Sequence, residues 1–264
     1  FCCFFKRYLL RLNAAIGTFL LLMVTLLNVS TGPAPHSTAS TTGRTGPTLA
    51  TLQSAYSAQP WAADTNYLNM VTQGYQRWTV PMSGNYTITV AGSRAGRVAG
   101  QVYTSGNGAI VVGTVNSIRG HIIEIICGQY LDTTNTTQIA GYYGLGGGGG
   151  TFVSNLTTAT LLFAAGGAGG ACFYSGSANP TGYNGENGRT TTAGGPGGVA
   201  ASGVGGTAGA GGGIYTTQSN NYKGGSGAGW LGDGKNGDNT PATSAMGSTY
   251  GGGGFGYASG FIGG

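Results

Sequence analysis

Apolar and polar positions change their spacing several times along the chain. Residues Ala14–Val29 (AAIGTFLLLMVTLLNV) are almost uniformly apolar, and Lys6, Arg7 and Arg11 precede them. Basic residues followed by an apolar run predict a hydrophobic helix serving as a signal peptide or signal-anchor over 1–30. The strongly apolar part, about 14–16 residues, is slightly shorter than the ~20 of a typical membrane span. No clean small-x-small cleavage site follows, which favours a retained anchor. The positive-inside rule then places the basic tip in the cytoplasm and the rest outside. Residues 31–60 show no periodicity and are rich in Thr, Ser and Pro. That composition predicts an extended stalk, because it offers little apolar area to bury.

From residue 75 the spacing shortens to two. Tyr86, Ile88 and Val90 alternate with Thr87 and Thr89, the signature of a half-buried strand. Further short runs, rich in β-branched and aromatic residues, lie at 76–80, 108–115, 121–127, 151–153 and 161–165. Turn sequences bound them: Pro81-Met82-Ser83-Gly84, Gly106-Asn107-Gly108 and Arg119-Gly120. Strands at this spacing, without a long amphipathic helix, predict a β-sandwich over 61–165.

Glycine then dominates. The chain has 56 glycines in 264 residues, far above the roughly 7% of ordinary domains. Most follow Gly141, in runs such as Gly146–Gly150 and Gly166–Gly170. Glycine has no side chain to bury and loses the most entropy on ordering, so 141–264 is either disordered or packed backbone against backbone. Polyproline II helices allow the second arrangement. They have three residues per turn and no internal hydrogen bonds, so their amides bond outward. Ordering costs about 1–2 kcal/mol per residue against about 1 kcal/mol net per hydrogen bond. Aromatics such as Tyr183, Tyr222, Trp230 and Phe255 are therefore expected to help close the edges. The absence of a strict Gly-x-y period excludes collagen.

Charge narrows the function. Charged residues make up 6% of the chain, and from Thr31 onward eight Lys/Arg face six Asp/Glu. That thin, scattered charge predicts no nucleic-acid interface. Two histidines and six scattered carboxylates supply no catalytic, cofactor or metal constellation, so a non-enzymatic protein is expected. Gly229–Asn236 nearly spells a phosphate loop, but Asn236 replaces the Ser/Thr that would hold Mg²⁺. Asp233 and Asp238 lack the spacing of known calcium loops, and His121 reads as a strand-end surface residue.

Some residues suggest modification. Sequons occur at Asn28, Asn85, Asn135 and Asn155. Asn28 adjoins the apolar run, leaving Asn85, Asn135 and Asn155 as glycosylation candidates, with Asn135 in the most loop-like setting. Cys2 and Cys3 precede the apolar run and are palmitoylation candidates, with free thiols the alternative. Cys127 and Cys172 form either a disulfide or two free thiols, since Cys127 ends an apolar strand.

The ordered motifs resemble a family. Pro81, Ser83-Gly84, Tyr86, Ala91-Gly92, Gly128-Gln129, Gly146–Val153 and Leu161–Gly167 are similar to the glycine-rich extracellular region of the anaplastic lymphoma kinase and leukocyte tyrosine kinase receptors. Residues 224–234 and 251–264 resemble that family's later repeats. Arg94, Arg97 and Val98 depart from it, standing where the family usually has glycine, and no kinase follows. The resemblance implies a tumour-necrosis-factor-like, jelly-roll-like sandwich carrying a polyproline II bundle. The expected class is mainly β, preceded by one N-terminal hydrophobic helix. The expected function is a membrane-anchored or secreted interaction or adhesion domain, with a protein ligand or receptor as partner and the membrane held through the N-terminal helix. Self-association into a homo-oligomer stays open, as do two alternatives: a structural coat or matrix protein, and a virus-encoded adhesin-like surface protein.

Overall fold

The computed structural model describes residues 46–96, 103–129, 142–174 and 181–190, with isolated positions outside these ranges. The expected hydrophobic helix at 14–29, Cys2, Cys3, Asn28 and Asn135 lie outside the described residues.

Thr48 opens helix α1 (Leu49–Ala55), its hydroxyl accepting from the Thr51 amide at 3.2 Å. This cap satisfies one of the helix's unpaired N–H groups. A short 3-10 turn, Pro60–Ala63, follows. The stretch from 46 to 60, expected as extended stalk, is therefore folded. Leu52, Tyr56, Trp61, Ala62 and Leu68 form a small core of their own, with the Tyr56 and Trp61 rings meeting at a 49° tilt, 5.5 Å apart. Two large aromatics outweigh the polar composition, because each buries on the order of 150–250 Å².

Strands β1 (Asn69–Met70), β2 (Tyr75–Thr79), β3 (Gly84–Ala91), β4 (Ile110–Ser117), β5 (Ile122–Ile126), β6 (Tyr142–Gly144), β7 (Thr151–Asn155), β8 (Thr160–Ala165), β9 (Cys172–Tyr174) and β10 (Thr181–Tyr183) follow in chain order. They form a five-stranded sheet β1-β2-β5-β7-β8, a two-stranded sheet β3-β4 and a three-stranded sheet β10-β9-β6. Every pairing is antiparallel. The fold is mainly β, as the sequence predicts. Trp78, Val80, Ile123, Ile125, Cys127 and Val153 from the first sheet share one core with Tyr86, Ile88 and Val90 from the second. The alternation read in β3 is what turns those three side chains inward. Trp78 and Tyr86 meet edge to face at 5.3 Å across that core.

The glycine-rich segments are not a separate appendage. Strands β3, β4, β5, β7 and β8 each continue, at the same end, into segments 92–96, 104–109, 127–129, 145–150 and 166–171. These segments have no ladder, yet their amides bond one another every third residue. Gly92 N–H donates to Ala109 C=O (2.8 Å) and Ala95 N–H to Gly106 C=O (3.2 Å). Gly106 and Ala109 donate to Gly169 and Gly166; Ser93 and Gly96 donate to Gly149 and Gly146; Leu145 and Gly148 donate to Ala171 and Ala168. The segments approach so closely that a Cβ placed at Gly92, Gly108, Gly128, Gly167 or Gly170 would lie within 3.0 Å of a neighbouring backbone carbonyl. Side-chain absence, not backbone freedom, is what the lattice requires there. The lattice already includes 92–96 and 104–109, so strand and glycine segments alternate along the chain, whereas the sequence suggested a sandwich followed by a glycine unit.

Candidate interaction surface

At the end of the sheets opposite the glycine lattice, three connections converge: 80–83 between β2 and β3, 118–121 between β4 and β5, and 156–159 between β7 and β8. Val80 and the 118–121 turn exchange backbone bonds, Val80 N–H to His121 C=O and Gly120 N–H to Val80 C=O, both 2.8 Å. Arg119 N–H donates to Ser83 Oγ at 2.9 Å. Gly120 takes φ +84° to close this turn, a conformation glycine adopts without steric cost. On the other side, Leu156 N–H donates to Ile122 C=O at 2.8 Å and Ile122 N–H to Thr157 Oγ1 at 3.0 Å.

Asn155 locks the third connection. Its Oδ1 accepts from the amides of Thr157 (3.0 Å) and Thr158 (3.3 Å), which fixes the orientation of its side-chain amide. Its Nδ2 therefore faces His121 Nδ1 as a donor, at 2.9 Å. Nδ1 must then accept, so His121 carries its proton on Nε2. His121, read as a strand-end residue, is thus a brace between two turns.

On this cross-braced end, Met82 (47% exposed), Ile118 (54%) and Ile122 (38%) face solvent. Scattered exposed apolar residues are normal. Here Met82 and Ile118 lie on neighbouring turns held by hydrogen bonds, and Ile122 opens β5 directly after the turn that carries Arg119. Rigid loops presenting apolar side chains with a charged neighbour can bind a partner at little ordering cost. The outer face of the two-stranded sheet mixes exposed Ile110 (64%) and Val112 (62%) with polar pairs, the Thr87 and Thr114 hydroxyls at 3.1 Å and Asn116 Nδ2 donating to Asn85 Oδ1 at 3.0 Å.

The remaining sequence candidates separate clearly. Asn85 is exposed on β3. Asn155 is 6% exposed and its amide is committed to the turn just described. Cys127 is a free, buried thiol rather than half of a disulfide with Cys172. It sits in the shared core, where Gln76 Nε2 approaches its sulfur at 3.7 Å. Burial pushes this thiol up to about 12, only partly offset by Gln76. Cys172 lies on β9, its backbone opposite Gly144 and Tyr183. Of the near-phosphate loop, Gly229–Gly232 is described; Trp230 packs on Phe152 at 5.2 Å there, on the face of the five-stranded sheet turned away from the shared core. That face also carries the ion pair of Arg77 Nε with the buried Glu124 Oε2 at 3.1 Å. Asp233 and Asp238 lie outside the described residues. Among the described residues no group of three or more His, Cys, Asp or Glu side chains could hold a metal.

Met82, Ile118 and Ile122 escape sequence reasoning because an apolar residue beside a turn reads the same whether it points in or out. No protein-family model matches the chain, and none of the curated proteins matches it.

Proposed function

We propose that this protein is a non-enzymatic interaction domain, displayed at a membrane or secreted, that binds a protein partner through the turns carrying Met82, Ile118 and Ile122. The observation that carries this reading is the exposure of three apolar side chains on turns fixed by backbone and side-chain bonds. Such residues are candidate binding hot spots, each worth about 2 kcal/mol or more when central to an interface. The resemblance of 75–264 to the receptor ectodomain family supports a protein as partner. The basic, apolar amino-terminal sequence supports a membrane or secretory location. Among the described residues no helix is long and apolar enough to cross a membrane.

In the same reading the glycine segments are polyproline II helices in a bundle, standing on a jelly-roll-like sandwich. Bonds repeating every third residue, without ladders, support this conformation. Amide hydrogen exchange tests it. The amides of Gly92, Ala95, Gly106, Ala109, Leu145 and Gly148 exchange slowly in a bundle; random-coil rates at those six would end the proposal.

The binding reading is tested with the full chain, fluorescently labelled and titrated onto a panel of cultured cells. Met82→Ser with Ile118→Ser is expected to cut saturable binding at least about tenfold while the urea midpoint holds. Undiminished binding by the double variant, or no saturable binding on any cell, would overturn it.

A further inference from the structure

Segment 184–188 reads Asn-Gly-Glu-Asn-Gly. It runs parallel to 104–109, and each Asn-Gly pair grips one residue there from both sides. Asn184 Oδ1 accepts from Thr104 N–H at 2.9 Å, while Gly185 N–H donates to Thr104 C=O at 2.9 Å. Three residues on, Asn187 Oδ1 accepts from Asn107 N–H at 2.8 Å, and Gly188 N–H donates to Asn107 C=O at 2.8 Å. The glycine of each pair is required because a Cβ at Gly185 or Gly188 would crowd the Gly169 or Gly166 carbonyl. Asparagine supplies a side-chain carbonyl at the distance the second bond needs. The packing thus demands the dipeptide that is chemically the most labile in a protein chain.

The lability is simple chemistry. The glycine amide nitrogen loses its proton and attacks the asparagine Cγ, forming a carbon–nitrogen bond. The side-chain nitrogen leaves as ammonia, giving a cyclic imide. Water then opens the imide at either carbonyl, yielding aspartate or isoaspartate; the net change is gain of water and loss of ammonia. Glycine permits this because no side chain shields its nitrogen. In the clamp, however, both reacting groups are held. The Gly185 and Gly188 amides point at the carbonyls of Thr104 and Asn107, away from the neighbouring Cγ.

We infer that Asn184 and Asn187 are conformation-gated deamidation sites, silent while segment 184–188 is docked and reactive once it opens. The outcome is directional. Isoaspartate at 187 inserts an extra backbone carbon between the two grips, which breaks the three-residue phase linking 185 with 104 and 188 with 107, and at 184 it displaces the acceptor for the Thr104 amide; aspartate keeps both acceptor and register. A segment that opens long enough to form isoaspartate cannot re-form both grips.

The same lattice holds its own comparison. Asn107-Gly108 is a third Asn-Gly pair. All three asparagines are exposed and the Asn107 backbone is itself gripped, but among the described residues no bond holds the Asn107 side chain or the Gly108 amide. The experiment ages the full chain at pH 8 and 37 °C, without and with unfolding urea, and follows the mass gain and isoaspartate content of peptides spanning each site. In native buffer, Asn184 and Asn187 convert at least about tenfold more slowly than Asn107, because their reaction waits for local opening. In urea the three rates converge to within about threefold, since no structure then distinguishes them. Equal native rates at all three sites would overturn the inference, as would a native Asn107 that does not react or a urea reaction that keeps the native ranking.

Discussion

Replacing Gly167 by alanine tests whether the glycine lattice is built on backbone contact. A Cβ at this position would sit inside 3.0 Å of the Gly148 carbonyl and the Gly149 carbonyl carbon, both backbone. A Cβ there would lie 1.9 Å from the Gly148 oxygen, whereas ordinary contact begins at 3.4 Å, so segments 145–150 and 166–171 must part by well over an ångström, far more than packed interiors tolerate. Gly148 N–H to Ala168 C=O (2.8 Å) and Leu145 N–H to Ala171 C=O (2.9 Å) join these two segments. Stretched that far, neither remains a hydrogen bond. Losing a bond and stranding its buried donor costs about 1–3 kcal/mol, so two cost about 2–6. The stiffer unfolded chain returns only about 0.4–1 kcal/mol. The net expectation is a loss of about 1–6 kcal/mol, or a Tm lowered by about 2–20 °C for a chain of this size. Gly84→Ala is the control, since nothing lies within 4 Å of a Cβ there. Urea unfolding of both variants, followed by tryptophan fluorescence, decides the matter. If Gly167→Ala falls within about 0.5 kcal/mol of Gly84→Ala, the experimental scatter expected of a neutral surface change, the lattice argument is refuted.

Other consequences can be checked alongside. Trp61→Ala empties the core under α1 and is expected to cost about 3–5 kcal/mol, visible as a lower urea midpoint. The Cys127 thiol titrates higher folded than unfolded, as does the Tyr56 hydroxyl, raised by burial and then by Cys127. Both therefore stabilise the fold fully below their unfolded pKa values and lose that contribution as pH rises from about 9 toward their folded values. The urea midpoint should fall in that alkaline range, and Cys127→Ala should make the fall shallower; an unchanged slope would count against the burial argument. Glu124→Gln strips the anion from a pair whose arginine is partly exposed, so a loss of about 1–3 kcal/mol is expected, less than for a fully buried pair. Asn155→Ala removes the acceptor for two amides and the donor to His121; a loss of about 2–4 kcal/mol should follow by the same denaturation assay.

The sandwich strands were legible because their signals are local. Tyr86, Ile88 and Val90 alternate over eight residues, and Gly84 and Gly120 mark the turns. Strands β6, β9 and β10, three residues each, are too short for any period to register. Helix α1 was misread for a different reason. Its only fully buried residue is Leu52, so nothing in its own pattern calls for a helix. The anchor is tertiary: Trp61 and Tyr56 close over Leu52, and short helices depend on such packing more than on propensity. Glycine content indicated backbone packing, yet the Asn184 and Asn187 grips were invisible until segment 104–109 supplied the partner. Their signal, Asn-Gly repeated at a spacing of three, has meaning only beside a neighbour of the same pitch.

The lattice depends on the sheets for its alignment. Glycine segments carry few side chains to choose one sliding position over another, and register is weakest in such sequences. The strands make the choice. Ala91 faces Ile110 in the β3–β4 ladder, and Gly92 with Ala109, then Ala95 with Gly106, continue the same pairing without a slip. Thr151 faces Ala165 in β7–β8, Gly148 bonds Ala168 and Leu145 bonds Ala171, and Gly144 faces Cys172 in β6–β9. A single register thus runs from one sheet through the glycines into another. Ile126 facing Phe152, then Gly149 bonding Gln129, repeats the pattern for β5–β7. The side-chain core therefore fixes how the side-chain-poor part aligns, and the lattice should form only after the strands pair. It follows that a sandwich mutation such as Trp78→Ala, if severe, should loosen the glycine amides too, whereas Gly167→Ala should leave the β3–β4 amides near Gly84 protected. Cooperative structure of this kind opens in contiguous units, and here the boundary of each unit is drawn by where side chains end and bare backbone begins.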